Sequence, residues 1–243
     1  MTWYEDWFNS ENYLTVYRHR DESEAERLVE LIVKHLNLNP SSSVLDMACG
    51  AGRHAISFAK RGFEVTAIDL SERLISEADK SAEAAGVKIK FILSDILKFN
   101  TKIQFNLVVN LFTSIGYFEE DHEDFEVIKK AYTSLTDSGY FVIDYFNKNY
   151  LVKNLLPTTV FSENGVKIIQ NRSFERNRVI KKIRIVNEIG TKEYFESVRL
   201  YSNEEMLNYL KNAGFRVVSQ FGDYFGNNYD SETSPRLIIF AEK

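Results

Sequence analysis

Three carboxylates and one glycine turn hold the positions in this sequence where ligand chemistry is most readily built. Asp46 stands four residues before Gly50 in "SVLDMACGAGRHAIS", Ser43 to Ser57. Asp69 follows Gly50 by nineteen residues, and Asp95 lies farther on in "FILSDIL". Gly50-Ala51-Gly52 permits a tight turn and lets a ligand approach bare backbone. Such strand-to-helix turns hold anionic or nucleotide ligands. An acid about 20 residues beyond the turn accepts hydrogen bonds from both ribose hydroxyls. An adenosine-type ligand is indicated. A helix cap at Asp69 beside a purely structural turn is the plainer alternative.

"GAGRHA" also satisfies the looser dinucleotide fingerprint, glycine-x-glycine-x-x-alanine. Three features favour a different ligand. A pyrophosphate site has no use for a carboxylate at Asp46, which suits a cationic amine or a brace for the turn. Asp95 is placed to accept a bond from an adenine amino group. The closing strand pair is antiparallel, which is atypical of a dinucleotide fold.

The elements that must position these residues follow from periodicity. Residues 21–38 have helical spacing and stop at Asn39-Pro40. Strands are expected at Ser43–Ala48, Glu64–Asp69, Lys88–Leu93, Phe105–Leu111 and Gly139–Phe146. Helices are expected at Arg53–Arg61, Ser71–Ala85 and Asp121–Leu135. This alternation implies βαβ units and a mainly parallel sheet. After Tyr150 the rhythm changes. Residues 158–201 alternate apolar and polar, with turns at Asn164-Gly165, Arg176-Asn177 and Gly190, and read as antiparallel strands. Ser202 and Glu205 form a capping box for a helix over Ser202–Ala213. Strands Phe215–Gly222 and Leu237–Ala241 follow, joined too briefly for a parallel crossover.

At this point the sequence resembles the class I S-adenosylmethionine-dependent methyltransferases. "VLDMACGAGRHAISFAKRGFEVTAIDLS" resembles their first two motifs and "FILSDIL" the third. "FNLVVNLFTSIGYF" resembles the fourth, "DSGYFVIDYFN" the fifth strand and its turn, and "YSNEEMLNYLKNAGFRVV" the final helix and sixth strand. The resemblance spans roughly residues 20–155 and 200–243. It implies an α/β fold: a doubly wound, mainly parallel seven-stranded sheet, last strand antiparallel, plus a small antiparallel β insert. It implies S-adenosyl-L-methionine as methyl donor. The backbone at Ala48, Gly50 and Gly52 would line the methionine part, and Asp46 would serve the same end of the site. Asp69 would hold the ribose. Leu70 and Ile96 would flank the adenine, and Asp95 would take its amino group. Asn110 and Phe112 would face the sulfonium. Ala48 stands where the family pattern has glycine; alanine is expected to remain compatible with strand geometry. After the fourth strand come Asn110-Leu111-Phe112-Thr113 rather than an Asn/Asp-Pro-Pro-aromatic motif, which disfavours amino methyltransferases acting on nucleobases or glutamine.

Other residues carry weaker signals. His54 and His122 are candidate general bases, against plain readings as a first-turn helix residue and a solvated residue near a helix start. Tyr117 and Tyr145 lie just past strand ends, where open α/β sheets bind ligands, and are candidate acceptor contacts; core or edge packing competes. Tyr17 or Arg20 in "YLTVYRHRD" would reach the methionine carboxylate if that segment folds over the ligand, against a simple surface helix. Cys49 reads as a packing residue.

Composition narrows the rest. The chain has 243 residues, 44% hydrophobic, with net charge −5, three Pro and one Cys. That suits one elaborated α/β domain, written as residues 1–157 with 202–243, carrying a β insert at 158–201 as lid or dimer contact. A single cysteine forms no disulfide within the chain and fits a reducing, cytoplasmic setting. No signal peptide or membrane span is expected. The basic run "RNRVIKKIR", Arg176 to Arg184, reads mainly as a solvated strand face; contact with an acidic acceptor or RNA is the alternative. The expected acceptor is a small molecule, with nucleic acid disfavoured and a homodimer allowed. A methyltransferase acting on RNA or protein, and a nucleotide-binding reductase or non-catalytic sensor, are the rival functions.

Overall fold

The computed structural model describes residues 2–17, 22–163 and 165–243. Arg20 and Asn164, named above, lie outside them. Among the described residues, two short helices, α1 (Trp3–Asn9) and α2 (Asn12–Val16), precede α3 (Glu22–Leu36). Then come β1 (Ser43–Met47), α4 (Arg53–Lys60), β2 (Glu64–Asp69), α5 (Glu72–Ala84), β3 (Lys90–Leu93), β4 (Phe105–Asn110), α6 (Asp121–Ser134) and β5 (Leu135–Phe146). A short helix, α7 (Lys148–Asn154), leads to β6 (Thr158–Glu163), β7 (Val166–Glu175), β8 (Arg178–Asn187) and β9 (Gly190–Arg199). The chain ends with α8 (Asn203–Ala213), β10 (Arg216–Phe221) and β11 (Arg236–Glu242).

Seven strands form one sheet in the order β10-β11-β5-β4-β1-β2-β3, and four form a second, β6-β7-β8-β9. In the large sheet β1 pairs in parallel with both β2 and β4, while β11 runs antiparallel to β5 and β10. The expected architecture is therefore present. The strand order reverses between β2 and β4 around β1, and the carboxyl ends of strands at such a switch point flank a crevice. β5 begins at Leu135, earlier than the expected Gly139, and α7 was not anticipated.

Local chemistry explains the main elements. Ser71 caps α5, accepting from Leu74 N at 3.2 Å. The Ser202–Glu205 capping box opens α8, with bonds of 3.2 and 2.8 Å, and Gly214 at φ 105° closes it. Alternation along the central strands sends Leu45, Met47 and Val108 to one face and Val44, Leu107 and Val109 to the other. Both faces are dry, as a helix-covered parallel sheet requires.

A third apolar cluster joins the start of the chain to the small sheet. Trp7 and Val16 are buried with Ile168, Ile183 and Ile185. The insert is also pinned to the large domain. Arg178 donates to the carbonyls of Gly116 (2.9 Å) and Phe118 (3.0 Å), and Arg199 pairs with Asp121 (3.0 Å) and Glu205 (2.9 Å). Among the described residues no helix is long and apolar enough to cross a membrane.

Candidate active site

A cavity of about 490 Å³ opens at the carboxyl ends of β1, β2 and β4, under α1 and α2. Its floor is the glycine turn. β1 stops at Met47, and Ala48 (φ 64°), Gly50 (φ 56°) and Gly52 (φ 81°) are all left-handed. Ala48 thus departs from the expected strand geometry, and a glycine there in the family pattern has a steric reason. A Cβ on Gly50 would meet nothing within 4 Å, whereas one on Gly52 would lie 2.9 Å from Ala78 Cβ. Gly50 lines the cavity, as do Ala48 and Cys49. Gly52 does not: it lets α4 pack on α5.

The acids divide in the same way. Asp69, 7% exposed, lines the cavity and ties the turn, its carboxylate accepting from Gly50 N (2.8 Å) and Ser71 N (2.9 Å). Burial raises its pKa against the opposing hydrogen bonds. Asp95, with Leu70 and Ile96, also lines the cavity, and its carboxylate accepts from Leu97 N at 2.9 Å. Asp46 instead points into the layer beneath α4. It accepts a backbone bond from Ala55, in the first turn of a helix whose N-cap, Gly52, has no side chain to offer. Burial, reinforced by the charge of Asp69, raises its pKa to about 7, and its Oδ2 has no hydrogen-bond partner.

Asn110 is fully buried and donates to the carbonyl of Met47 at 3.0 Å, tying β4 to β1. It does not line the cavity, contrary to expectation. Phe112 does, from a pair of left-handed residues, Phe112 (φ 62°) and Thr113 (φ 60°). The guanidinium of Arg53 sits 5.2 Å from the Phe112 ring centroid. Arg53 and His54, in the first turn of α4, both face the cavity. His122 is exposed at the start of α6 and lies away from it.

Tyr117 lines the cavity, its ring 5.5 Å from Phe8 and 5.6 Å from Trp3. Tyr145 does not. It is fully buried in the core, and its hydroxyl donates to the carbonyl of Arg199. Alternation along β5 turns the Tyr145 ring into the core with Phe141 and Ile143.

The roof was only partly expected. Tyr4, Phe8, Tyr13 and Tyr17 close the cavity from α1, α2 and the residue after α2. They are held from both sides. Ser71 Oγ donates to Phe8 O at 2.9 Å, and Trp7 Nε1 donates to Glu196 of β9 at 2.7 Å. Their signal was the aromatic spacing of "WYEDWFNSENYLTVY", with Tyr4 and Phe8, and Tyr13 and Tyr17, each four apart, as on one helix face.

A family model described as a methyltransferase domain matches residues 44–139. A protein of Geobacillus sp. (strain WCH70) named as a methyltransferase is 25% identical over 227 residues, spanning 90% of this chain and 91% of that one. Two solved structures share the fold. An S-adenosylmethionine-dependent methyltransferase from Clostridium acetobutylicum has a TM-score of 0.81 at 20% identity, with 95% of each chain covered. CalS10 of Micromonospora echinaspora, an amino pentose methyltransferase, has 0.69 at 18%, covering 96% of this chain and 97% of that one. With the motif order and the sheet described above, residues 44–139 carry a methyltransferase domain, and the chain has the fold of the S-adenosylmethionine-dependent methyltransferases.

Proposed function

We propose that this enzyme methylates a small molecule enclosed between the strand rim at Tyr117 and the aromatic roof. The observation that carries this reading is the roof itself: Tyr4, Phe8, Tyr13 and Tyr17 line the cavity opposite the glycine turn.

The residues fit the donor. The space above Gly50 is free of protein atoms, so bare backbone is available to the methionine moiety. Asp69 presents its carboxylate at the cavity for the ribose diol. Leu70 and Ile96 supply apolar faces for the adenine, and Asp95 an acceptor at its edge. Phe112 forms the wall beside the sulfonium. Asp46, Gly52 and Asn110 support this shell from behind: a cap, a packing glycine and a strand tie. The bound donor supplies an electrophilic methyl group on a sulfonium sulfur. The chain's own work is then to align the acceptor and exclude water. His54, which lines the cavity, is the candidate general base for an acceptor hydroxyl or ammonium.

The rival macromolecular reading rests on the basic run 176–184, and much of that charge is spent within the fold. Arg178 binds backbone carbonyls, Lys181 pairs with Glu196 at 3.4 Å, and Arg184 with Glu193 at 2.8 Å. Amino pentose methylation by the structural neighbour CalS10 supports the small-molecule class. The single buried cysteine suits a reducing, cytoplasmic setting.

The test has two stages. Calorimetry with S-adenosylmethionine and with NAD should show binding of the first alone. An acceptor screen scored by S-adenosylhomocysteine release should then give hits among small amines and alcohols. Turnover confined to RNA or protein substrates, with a steep salt dependence, would overturn the acceptor class.

A further inference from the structure

Asp144 lies near the carboxyl end of β5 with no exposed surface. Donors from three separate segments meet on its carboxylate. Phe112 N lies 3.0 Å and the Tyr224 hydroxyl 2.8 Å from Oδ2, and Arg236 Nε lies 2.8 Å from Oδ1. Its carbonyl accepts from Thr113 N at 2.8 Å, and Arg236 Nη2 donates to Thr113 Oγ1 at 3.1 Å. Apart from the Tyr224 bond, these contacts hold the left-handed pair Phe112–Thr113, directly or through Arg236.

Charge placement adds a second role. The Arg236 guanidinium lies 5.5 Å from the centroid of the Phe112 ring, whose residue lines the cavity. A cation therefore stands behind the wall that borders the donor, and Asp144 is the anion in contact with it. Removing one member of a buried pair leaves the other uncompensated.

We infer that Asp144 is a positioning residue for the donor's sulfonium end: it fixes the Phe112–Thr113 turn against the cavity and cancels the Arg236 charge behind it. This rests on the S-adenosylmethionine reading of the cavity. A net positive charge at Arg236 would oppose the sulfonium of S-adenosylmethionine but act little on the neutral thioether of S-adenosylhomocysteine. The ratio of the two affinities is thus a readout that a purely structural role, which weakens both ligands alike, leaves unmoved.

The test is calorimetric titration of both ligands into the full chain, with circular dichroism as a folding check. For Asp144→Asn we expect S-adenosylmethionine affinity to fall about ten-fold or more and S-adenosylhomocysteine affinity less than about three-fold. Arg236→Gln removes the cation and should move the ratio the other way, by about three-fold. The double variant should return to within about two-fold of the parent ratio. If Asp144→Asn does not fold, Arg236→Gln decides. An unchanged ratio in the variants that fold overturns the inference while leaving the donor reading intact. A parent protein that binds neither ligand overturns the donor reading, and this inference with it.

Discussion

Tyr17 and Glu196, 179 positions apart in sequence, share a hydrogen bond in which the Tyr17 hydroxyl is the donor. Lys181 Nζ donates to the same hydroxyl at 2.5 Å and stands over the Tyr17 ring. The small sheet therefore holds Tyr17 and the roof from behind, while none of its described residues lines the cavity itself.

Replacing Glu196 with Ala should consequently loosen the roof. Lys181 and Glu196 are each only 13% exposed, so the lysine would lose the Glu196 carboxylate at a largely buried position. The expected cost is about 1–3 kcal/mol of local stability, appearing as faster hydrogen exchange in residues 2–17. Donor affinity should fall with it. Exchange at parental rates in that segment would show that the node does not hold the roof.

Replacing Asp69 with Ala should weaken S-adenosylmethionine binding by about 1.5–3 kcal/mol, since charge-assisted hydrogen bonds to the ribose are lost. The same carboxylate also binds Gly50 N, so thermal stability should drop in parallel. Calorimetry and thermal melts on one preparation separate the two effects. Unaltered donor affinity would refute the ribose assignment.

The two small residues flanking Gly50 should respond in opposite senses. Ala48→Gly relieves a left-handed alanine and should stabilise the protein by about 0.5–1 kcal/mol, after the entropic penalty of glycine. Gly52→Ala combines φ 81° with a Cβ 2.9 Å from Ala78 and should cost about 2–4 kcal/mol. Urea denaturation measures both. A destabilised Ala48→Gly variant would mean that no strain resides there.

Asp46 gives a pH signature. Burial holds its pKa near about 7, against an ordinary value of 3.8. Between those values the folded state binds the more protons, so stability falls as pH rises, by at most about 1.4 kcal/mol per unit for one proton. The decline is complete above about pH 7. Asp69, also shifted upward by burial, adds in the same direction. Asp46→Asn should flatten the slope between pH 5 and pH 7 in chemical denaturation (roughly these bounds). A slope identical to the parent's would assign the proton elsewhere.

Elements and site differed in how openly the sequence displayed them. The βαβ rhythm, the capped α8 and the four alternating strands of the insert are local patterns, and each was found close to its place. So were Asp69, Asp95 and the glycine turn, because their spacing follows from strand and helix length. Side-chain direction was less legible. Asp46 and Asn110 lie at the right ends of the right strands but point beneath the cavity, and Tyr145 packs in the core rather than on the rim. The roof was legible only at Tyr17 and the Arg236 contact not at all, because both depend on pairings across most of the chain, which no short window contains.

The length of those pairings has a consequence for how the enzyme comes into being. Trp7 and its partner Glu196 are separated by 189 positions. During synthesis the roof residues emerge long before β9 exists to receive them. Contacts so distant in sequence form late, after the loop they close has been ordered. The glycine turn and Asp69 can assemble from the first half of the chain. A nascent or truncated form would therefore have a donor cradle without a cover, with Trp3, Trp7, Tyr13 and Tyr17 exposed to whatever apolar surface is nearby. In that interval the uncovered aromatic side chains are open to misassociation, and hydrogen exchange on ribosome-bound chains of increasing length should show it ending as β9 emerges.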